Sequence, residues 1–316
     1  MNIHVRVPAS TANLGPGFDC LGLALSLHNE ATFTFEGLKR TRSARHAPEV
    51  EVRIEGVGLE ALPRKEKNLV WRAVERALSE IAASVEKATI HCKNRIPLNS
   101  GLGSSAAACV AGLAAANELC GNPLSREKLL CLAAEIEGHP DNAAPSILGG
   151  LTACYDADGT PKAISIPLRA RISIVVCTPD VGVPTQEARK VLPRQIPFRD
   201  AAIAVGRAAA ITGMLATGDL DGLREAMEDV LHEPYRSRLV PGMCDAMEAA
   251  LDAGALGAAL SGAGPTIVAF CPGEDRTTAT RVGAALVKTF ETCGHKAASR
   301  ALRVDRSGVK VTQANG

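Results

Sequence analysis

The stretch Pro97-Leu98-Asn99-Ser100-Gly101-Leu102-Gly103-Ser104-Ser105-Ala106 decides how this chain is read. It follows a strand-like run, Ala88–Lys93, and opens an Ala-rich helix expected from about Ser104 to Leu119. Glycines let a backbone approach a ligand closely, and the unpaired N–H groups and positive dipole end of a helix start attract anions. A phosphate chain fits there. The hydroxyls of Ser104 and Ser105 can cap the helix, meet a phosphate oxygen or contribute a magnesium ligand. An ordinary helix cap behind a glycine turn needs one glycine and one hydroxyl, whereas this loop carries two glycines and, at the helix start, two serines behind a proline. No G-x-x-x-x-G-K-[ST] occurs in the chain, so the phosphate site is not a Walker loop. GLGSSA also satisfies G-x-G-x-x-A, but a dinucleotide fingerprint puts its first glycine directly after the strand. Here Gly101 comes eight residues after Lys93, with Pro97 between, which weakens a nicotinamide reading.

Around this loop, 316 residues suit two medium domains, divided near residue 160 where DADGTPK supplies turn chemistry. Apolar residues make up 46% and charged residues 22%, the proportions of a globular protein. With aromatics at only 3%, the core must be built from Ala, Val, Ile and Leu. A net charge of +1 excludes a bulk electrostatic drive toward nucleic acid or anionic membrane, so the expected partners are small molecules. The basic stretch GLKRTRSARHAP reads as a solvated loop. The opening MNIHVRVPAS alternates like a strand, and no run is apolar enough to span a bilayer. Ten scattered cysteines with no C-x-x-C suit free thiols in a reducing cytoplasm.

Strand patterns at Ile3–Val7, Ala31–Phe35 and Val50–Ile54 precede a helix over 68–81, and a second helix, 125–137, follows the Ala-rich one. The second half mixes strands (171–177, 258–260, 266–270) with helices (184–192, 198–216, 219–230, 242–253). Such segregated mixing predicts an α+β fold.

PLNSGLGSSAAA resembles the central nucleotide-binding motif of the GHMP kinases. Two further segments match that superfamily: Pro8-Ala-Ser-Thr-Ala-Asn13-Leu-Gly-Pro-Gly-Phe18-Asp19 near the start and Leu260-Ser261-Gly262-Ala-Gly264-Pro265-Thr266 near the end. The first looks like the homoserine kinase form. His139-Pro-Asp141-Asn142, Thr185-Gln-Glu-Ala-Arg189-Lys and Glu233-Pro-Tyr-Arg236 agree with it. The resemblance implies ATP, Mg²⁺, L-homoserine as substrate and O-phospho-L-homoserine as product, on the route to threonine. It implies a GHMP fold, with a ribosomal protein S5 domain 2-like N-terminal domain (1–160) and a ferredoxin-like α+β C-terminal domain (161–316). A cytoplasmic homodimer is also implied.

The resemblance carries roles onto matching positions. Asn13 and Asp19 are expected at the substrate ammonium, Arg189 and Arg236 at its carboxylate, and His139 in the same pocket. These choices make physical sense: fork-shaped guanidiniums suit carboxylates, and an ammonium needs an anion. Asn142 is expected to orient the reacting hydroxyl, Thr185 to serve the transition state, and Asp141 to act as a base or as a pocket organiser. Asn68 is matched to an adenine contact, Gly262 and Gly264 to backbone packing on the nucleotide loop, and Glu135, with Ser105, to magnesium. Glu137 remains open as the alternative magnesium ligand; on a helix the two carboxylates point to different faces.

Overall fold

A computed structural model describes residues 2–40, 47–273 and 276–314; part of the basic stretch, 41–46, lies outside them. Two sheets carry the molecule. The first begins with two long strands, β1 (Asn2–Asn13) and β2 (Gly17–Glu36), paired antiparallel almost throughout, with register shifts at Pro8/Ala9 and Ala12/Asn13. Next come β3 (Glu49–Gly56), α1 (Leu69–Ile81) and β4 (Lys87–Asn94), with β3 and β4 parallel across the α1 crossover. The phosphate-type loop leads into α2 (Ser104–Leu119), followed by α3 (Arg126–Glu137) and α4 (Ala143–Leu148). A hairpin, β5 (Leu151–Ala157) and β6 (Thr160–Ile166), adds onto β2 through β5.

The boundary expected at 160 therefore falls inside the β5–β6 hairpin, and the chain reaches the second sheet only at β7 (Ile172–Pro179). Helices α5 (Thr185–Lys190), α6 (Phe198–Thr217), α7 (Leu223–Met227), α8 (Glu233–Arg236) and α9 (Met243–Asp252) follow. The second sheet is completed by β8 (Gly257–Leu260), β9 (Ile267–Pro272) and, after α10 (Arg276–Thr292), β10 (Ala297–Leu302). Its order is β10-β7-β9-β8, all antiparallel. The last strand, β11 (Lys310–Ala314), returns to the first sheet beside β1.

Local chemistry explains the elements that frame the site. Helix α1 starts at Asn68, whose side chain accepts the Val70 N–H, and buries one strongly apolar stripe containing Trp71, Val74 and Leu78. Helix α2 is different: Ala, Cys, Val and Leu surround it, and twelve of its sixteen residues are buried. It is the central helix between sheet and outer helices, and its small side chains permit that close packing. The helix expected over 219–230 shrinks to α7 because Gly222 takes a left-handed backbone and Glu228 is extended. All ten cysteines are free, six of them buried. No helix among the described residues is long and apolar enough to cross a membrane.

Candidate active site

A cavity of about 420 Å³ runs between the two halves of the molecule. Its centre is the start of α2. Gly101 and Gly103 both have positive φ (79° and 67°), a backbone region that glycine alone enters freely. Close approach reinforces the requirement: a Cβ on Gly101 would lie 2.0 Å from Ser261 O, and one on Gly103 would lie 2.2 Å from Ser10 Oγ. The turn Ser261–Gly264 thus packs backbone to backbone on the loop. Ser261 Oγ donates to Gly101 O (2.7 Å), and Thr266 N donates to Ser100 O (3.2 Å).

No side chain caps α2, since Gly103 is its N-cap, so the first-turn N–H groups face the cavity without a side-chain partner. A helix start of this kind is able to take an anion. Both serine hydroxyls are directed elsewhere: Ser104 Oγ toward Ile96 O (3.5 Å) and Ser105 Oγ to Glu137 Oε2 (2.6 Å). Leu98, Asn99, Ser100, Gly101, Gly103, Ser104 and Ser105 line the cavity. Pro97 does not, and the side chains of Leu102 and Ala106 are buried.

Glu135 requires a correction. Its carboxylate takes a bidentate bond from Arg76 (3.0 and 2.9 Å), is more than half exposed, and is drawn below the ordinary range mainly by that guanidinium. It faces away from the loop. Glu137, two residues on and therefore on another helix face, is the carboxylate beside Ser105. Burial raises its pKa, against the lowering influence of Ser105 and His139, and no Lys or Arg pairs with it among the described residues. Two hard oxygen donors on one spot without a protein cation fit Mg²⁺, which binds few protein ligands and keeps water and substrate phosphates in its shell.

Asn68 stands in the cavity wall with its amide engaged by its own chain. Its Oδ1 accepts Val70 N–H (2.9 Å) and its Nδ2 donates to Pro63 O (2.6 Å), so the amide caps α1 and pins the preceding loop. It forms part of the wall at the apolar end of the cavity, with Ile54, Leu62 and Val70.

The opposite end is polar. Arg189 reaches from α5 to Asp19 with both Nη atoms (3.0 and 2.8 Å). Arg236, on α8, donates from Nε to Ala188 O (3.1 Å) and from Nη1 to Gly262 O (2.8 Å). Both guanidiniums lie over the Phe18 ring, at 5.6 and 5.3 Å from its centroid. Burial, with Arg189 nearby, pushes Arg236 down to about 10. Asn13 is spent on framing: its Oδ1 accepts Asp19 N–H (3.1 Å) and its Nδ2 donates to Gly262 O (3.0 Å).

Between the two ends, His139 Nδ1 meets Asp141 Oδ1 (2.7 Å), Asn142 Nδ2 approaches the same oxygen (3.4 Å), and Ser10 Oγ donates to Asn142 Oδ1 (2.9 Å). Burial alone would depress the His139 pKa; Asp141 outweighs it and the net shift is upward. Thr185, the first residue of α5, lines the cavity, as does Gly262; Gly264 stands behind the turn, donating to Ser261 O (2.8 Å).

Comparison with known proteins gives the family and the fold. Family models for the GHMP kinases N terminal domain and the GHMP kinases C terminal domain match residues 68–150 and 208–292. The chain is 40% identical to a homoserine kinase of Carboxydothermus hydrogenoformans, covering 93% of this chain and 92% of that one. It is 43% identical to one of Parasynechococcus marenigrum, covering 97% and 94%. The chain belongs to the homoserine kinase family. A solved homoserine kinase structure from Cytophaga hutchinsonii superposes with a TM-score of 0.85 at 33% identity, over 98% of this chain and 97% of that one. An L. major mevalonate kinase, at 17% identity and a TM-score of 0.67, shares the fold. The α+β GHMP kinase fold read from the three motifs is the fold of this chain, and the chain is a kinase.

Sequence reasoning passed over Ser10, Phe18 and Glu233 as actors, although the first two stand inside the first motif and the third opens EPYR. Glu233 is fully buried, accepts Leu260 N–H (2.6 Å) immediately before the glycine turn, and is pushed up to about 8 by burial. Only the structure reveals these contacts, because each joins residues more than two dozen positions apart.

Proposed function

We propose that this chain transfers the γ-phosphoryl group of ATP to the side-chain hydroxyl of L-homoserine, giving O-phospho-L-homoserine and ADP. One observation carries the substrate: Asp19, Arg189 and Arg236 converge at Phe18, at the end of a cavity whose middle is the open start of α2. A zwitterion meets both charges there. Its ammonium takes a place on the Asp19 carboxylate, and its carboxylate takes Arg189 together with the Nη2 edge of Arg236. The side chain then extends toward Asn142 and the helix start.

ATP lies with its base in the apolar end, by Ile54, Leu62 and Val70, and its phosphates along Gly101–Ser105. Ser105 and Glu137 are the residues that would hold Mg²⁺, which when bound neutralises charge on the transferring phosphates. Phosphoryl transfer through a loose transition state asks mainly for alignment and charge stabilisation. The helix-start N–H groups supply the latter, and Asn142, fixed by Ser10, supplies the former. Asp141 acts as organiser: one of its oxygens is shared by His139 and Asn142, which holds both against the pocket. The family resemblance supports a homodimer in the cytoplasm; exposed Phe198 and Val205 on α6 offer an apolar face for a second copy.

The test is ADP release with homoserine, homoserine amide, threonine, mevalonate and galactose as acceptors. Homoserine is expected to give the highest kcat/KM, with the amide at least about a hundredfold lower for loss of a charged, hydrogen-bonded contact. Equal use of the amide removes the carboxylate pocket from the reading.

A further inference from the structure

His232 lies one residue ahead of Glu233-Pro-Tyr-Arg236, and nothing above assigns it a role. Its ring is fully buried at the centre of contacts from four segments. Nε2 is 3.0 Å from Gly15 O in the β1–β2 turn and 3.6 Å from Asp229, Nδ1 is 3.3 Å from Arg236 Nη1, and the ring tilts against Phe18 at 5.4 Å. We propose that His232 is a positioning residue that aims the Arg236 guanidinium at the substrate carboxylate.

The hydrogen-bond roles here have one solution. A carbonyl accepts only, so Nε2 carries the hydrogen given to Gly15; a guanidinium donates only, so Nδ1 accepts from Arg236. His232 is therefore neutral, in the Nε2–H tautomer. Burial, followed by the opposing pull of Asp229 and the push of Arg236, lowers its pKa in keeping with that state. The Asp229 carboxylate fixes the backbone on which the ring stands, accepting the N–H groups of Leu231, His232 and Glu233 (2.8, 2.7 and 2.7 Å).

For Arg236 the consequence is geometric. Nε is held by Ala188 O, and the two Nη1 hydrogens are divided between Gly262 O and His232 Nδ1. Three acceptors spread over Nε and Nη1 fix the guanidinium plane. Nη2 is left without a protein partner among the described residues, on a side chain that lines the cavity. Without the Nδ1 acceptor, Nη1 keeps one bond and the plane turns more freely about Nε, which weakens a bond whose strength depends on direction.

This proposal rests on Arg236 as the carboxylate ligand, and the experiment separates the two. An Asn amide oxygen falls where Nδ1 stood, whereas a Gln amide nitrogen falls where Nε2 stood. His232→Asn thus keeps the Arg236 contact and loses the Gly15 contact; His232→Gln does the reverse. Steady-state ADP-release kinetics would be measured for His232→Asn, His232→Gln, Arg236→Met and the Arg236→Met/His232→Gln pair, with homoserine and homoserine amide.

Expected are a homoserine KM within about threefold of the parent for Asn, and about tenfold or more above it for Gln together with weaker selection against the amide. The ATP KM should stay within about twofold in both, and adding His232→Gln to Arg236→Met should change the homoserine KM by less than about twofold. The proposal is overturned if Gln is the better replacement, if ATP and homoserine KM rise together, or if the pair multiplies the single effects. A parent-like homoserine KM in Arg236→Met would instead overturn the carboxylate reading beneath it.

Discussion

Replacing Glu233 by Gln changes stability in a pH-dependent way that the structure allows to be worked out. The carboxyl is fully buried behind the glycine turn, with Leu260 N–H as its bonded donor, and burial pushes its pKa up to about 8 from an ordinary 4.5. The folded state holds a proton that the unfolded chain has released. Stability from this group is thus fully present below about pH 4.5 and lost as pH rises toward 8. Each pH unit between these limits is worth about 1.4 kcal/mol, so the parent loses roughly 3 to 4 kcal/mol from this group between pH 5 and 8. Gln keeps an acceptor for Leu260 but has no ionisation to suppress. The stability difference, Gln variant minus parent, should therefore climb by that amount over pH 5, 6, 7 and 8, measured by urea unfolding with linear extrapolation. Burying the extra amide N–H₂ adds an offset that does not vary with pH. A flat difference across the range refutes the buried neutral carboxyl, and a falling one reverses its sign.

Glu137→Gln should raise the Mg²⁺ concentration for half-maximal rate at least about tenfold, while Glu135→Gln, which loses only an exposed pairing with Arg76, should leave it unchanged; a Mg²⁺ titration of ADP release decides between them. Asp141→Asn should lower kcat by no more than about tenfold if the residue organises His139 and Asn142, whereas removal of a general base costs about a hundredfold or more, as single-turnover rates would reveal.

The sequence revealed most where one local rule decided the outcome. The α1 helix, the glycines before α2, and the Ser261–Gly264 turn all read correctly as elements because spacing and backbone freedom suffice there. Strand β2 was legible only over Ala31–Phe35, since Leu21–Leu25 is buried on both faces and loses the alternation that marks a half-buried strand. Asp219–Val230 read as one helix because nothing in its periodicity announces that Asp229 folds back onto three following N–H groups. The choice between Glu135 and Glu137 depended on the rotation of α3 against α2. Both residues end a helix whose apolar positions do not fix that rotation, and only the Arg76 and Ser105 contacts tell the two carboxylates apart. An amide at a helix start suits a cap and a ligand contact equally well, and at Asn68 the sequence did not announce the cap.

The most direct test of the central claim follows phosphorus itself. With MgATP and L-homoserine, ³¹P NMR is expected to show a single new phosphate-monoester resonance growing one for one with ADP, coupled to the side-chain methylene protons of homoserine. Inorganic phosphate in place of the monoester, or a monoester that forms faster on an uncharged alcohol than on homoserine, would contradict it.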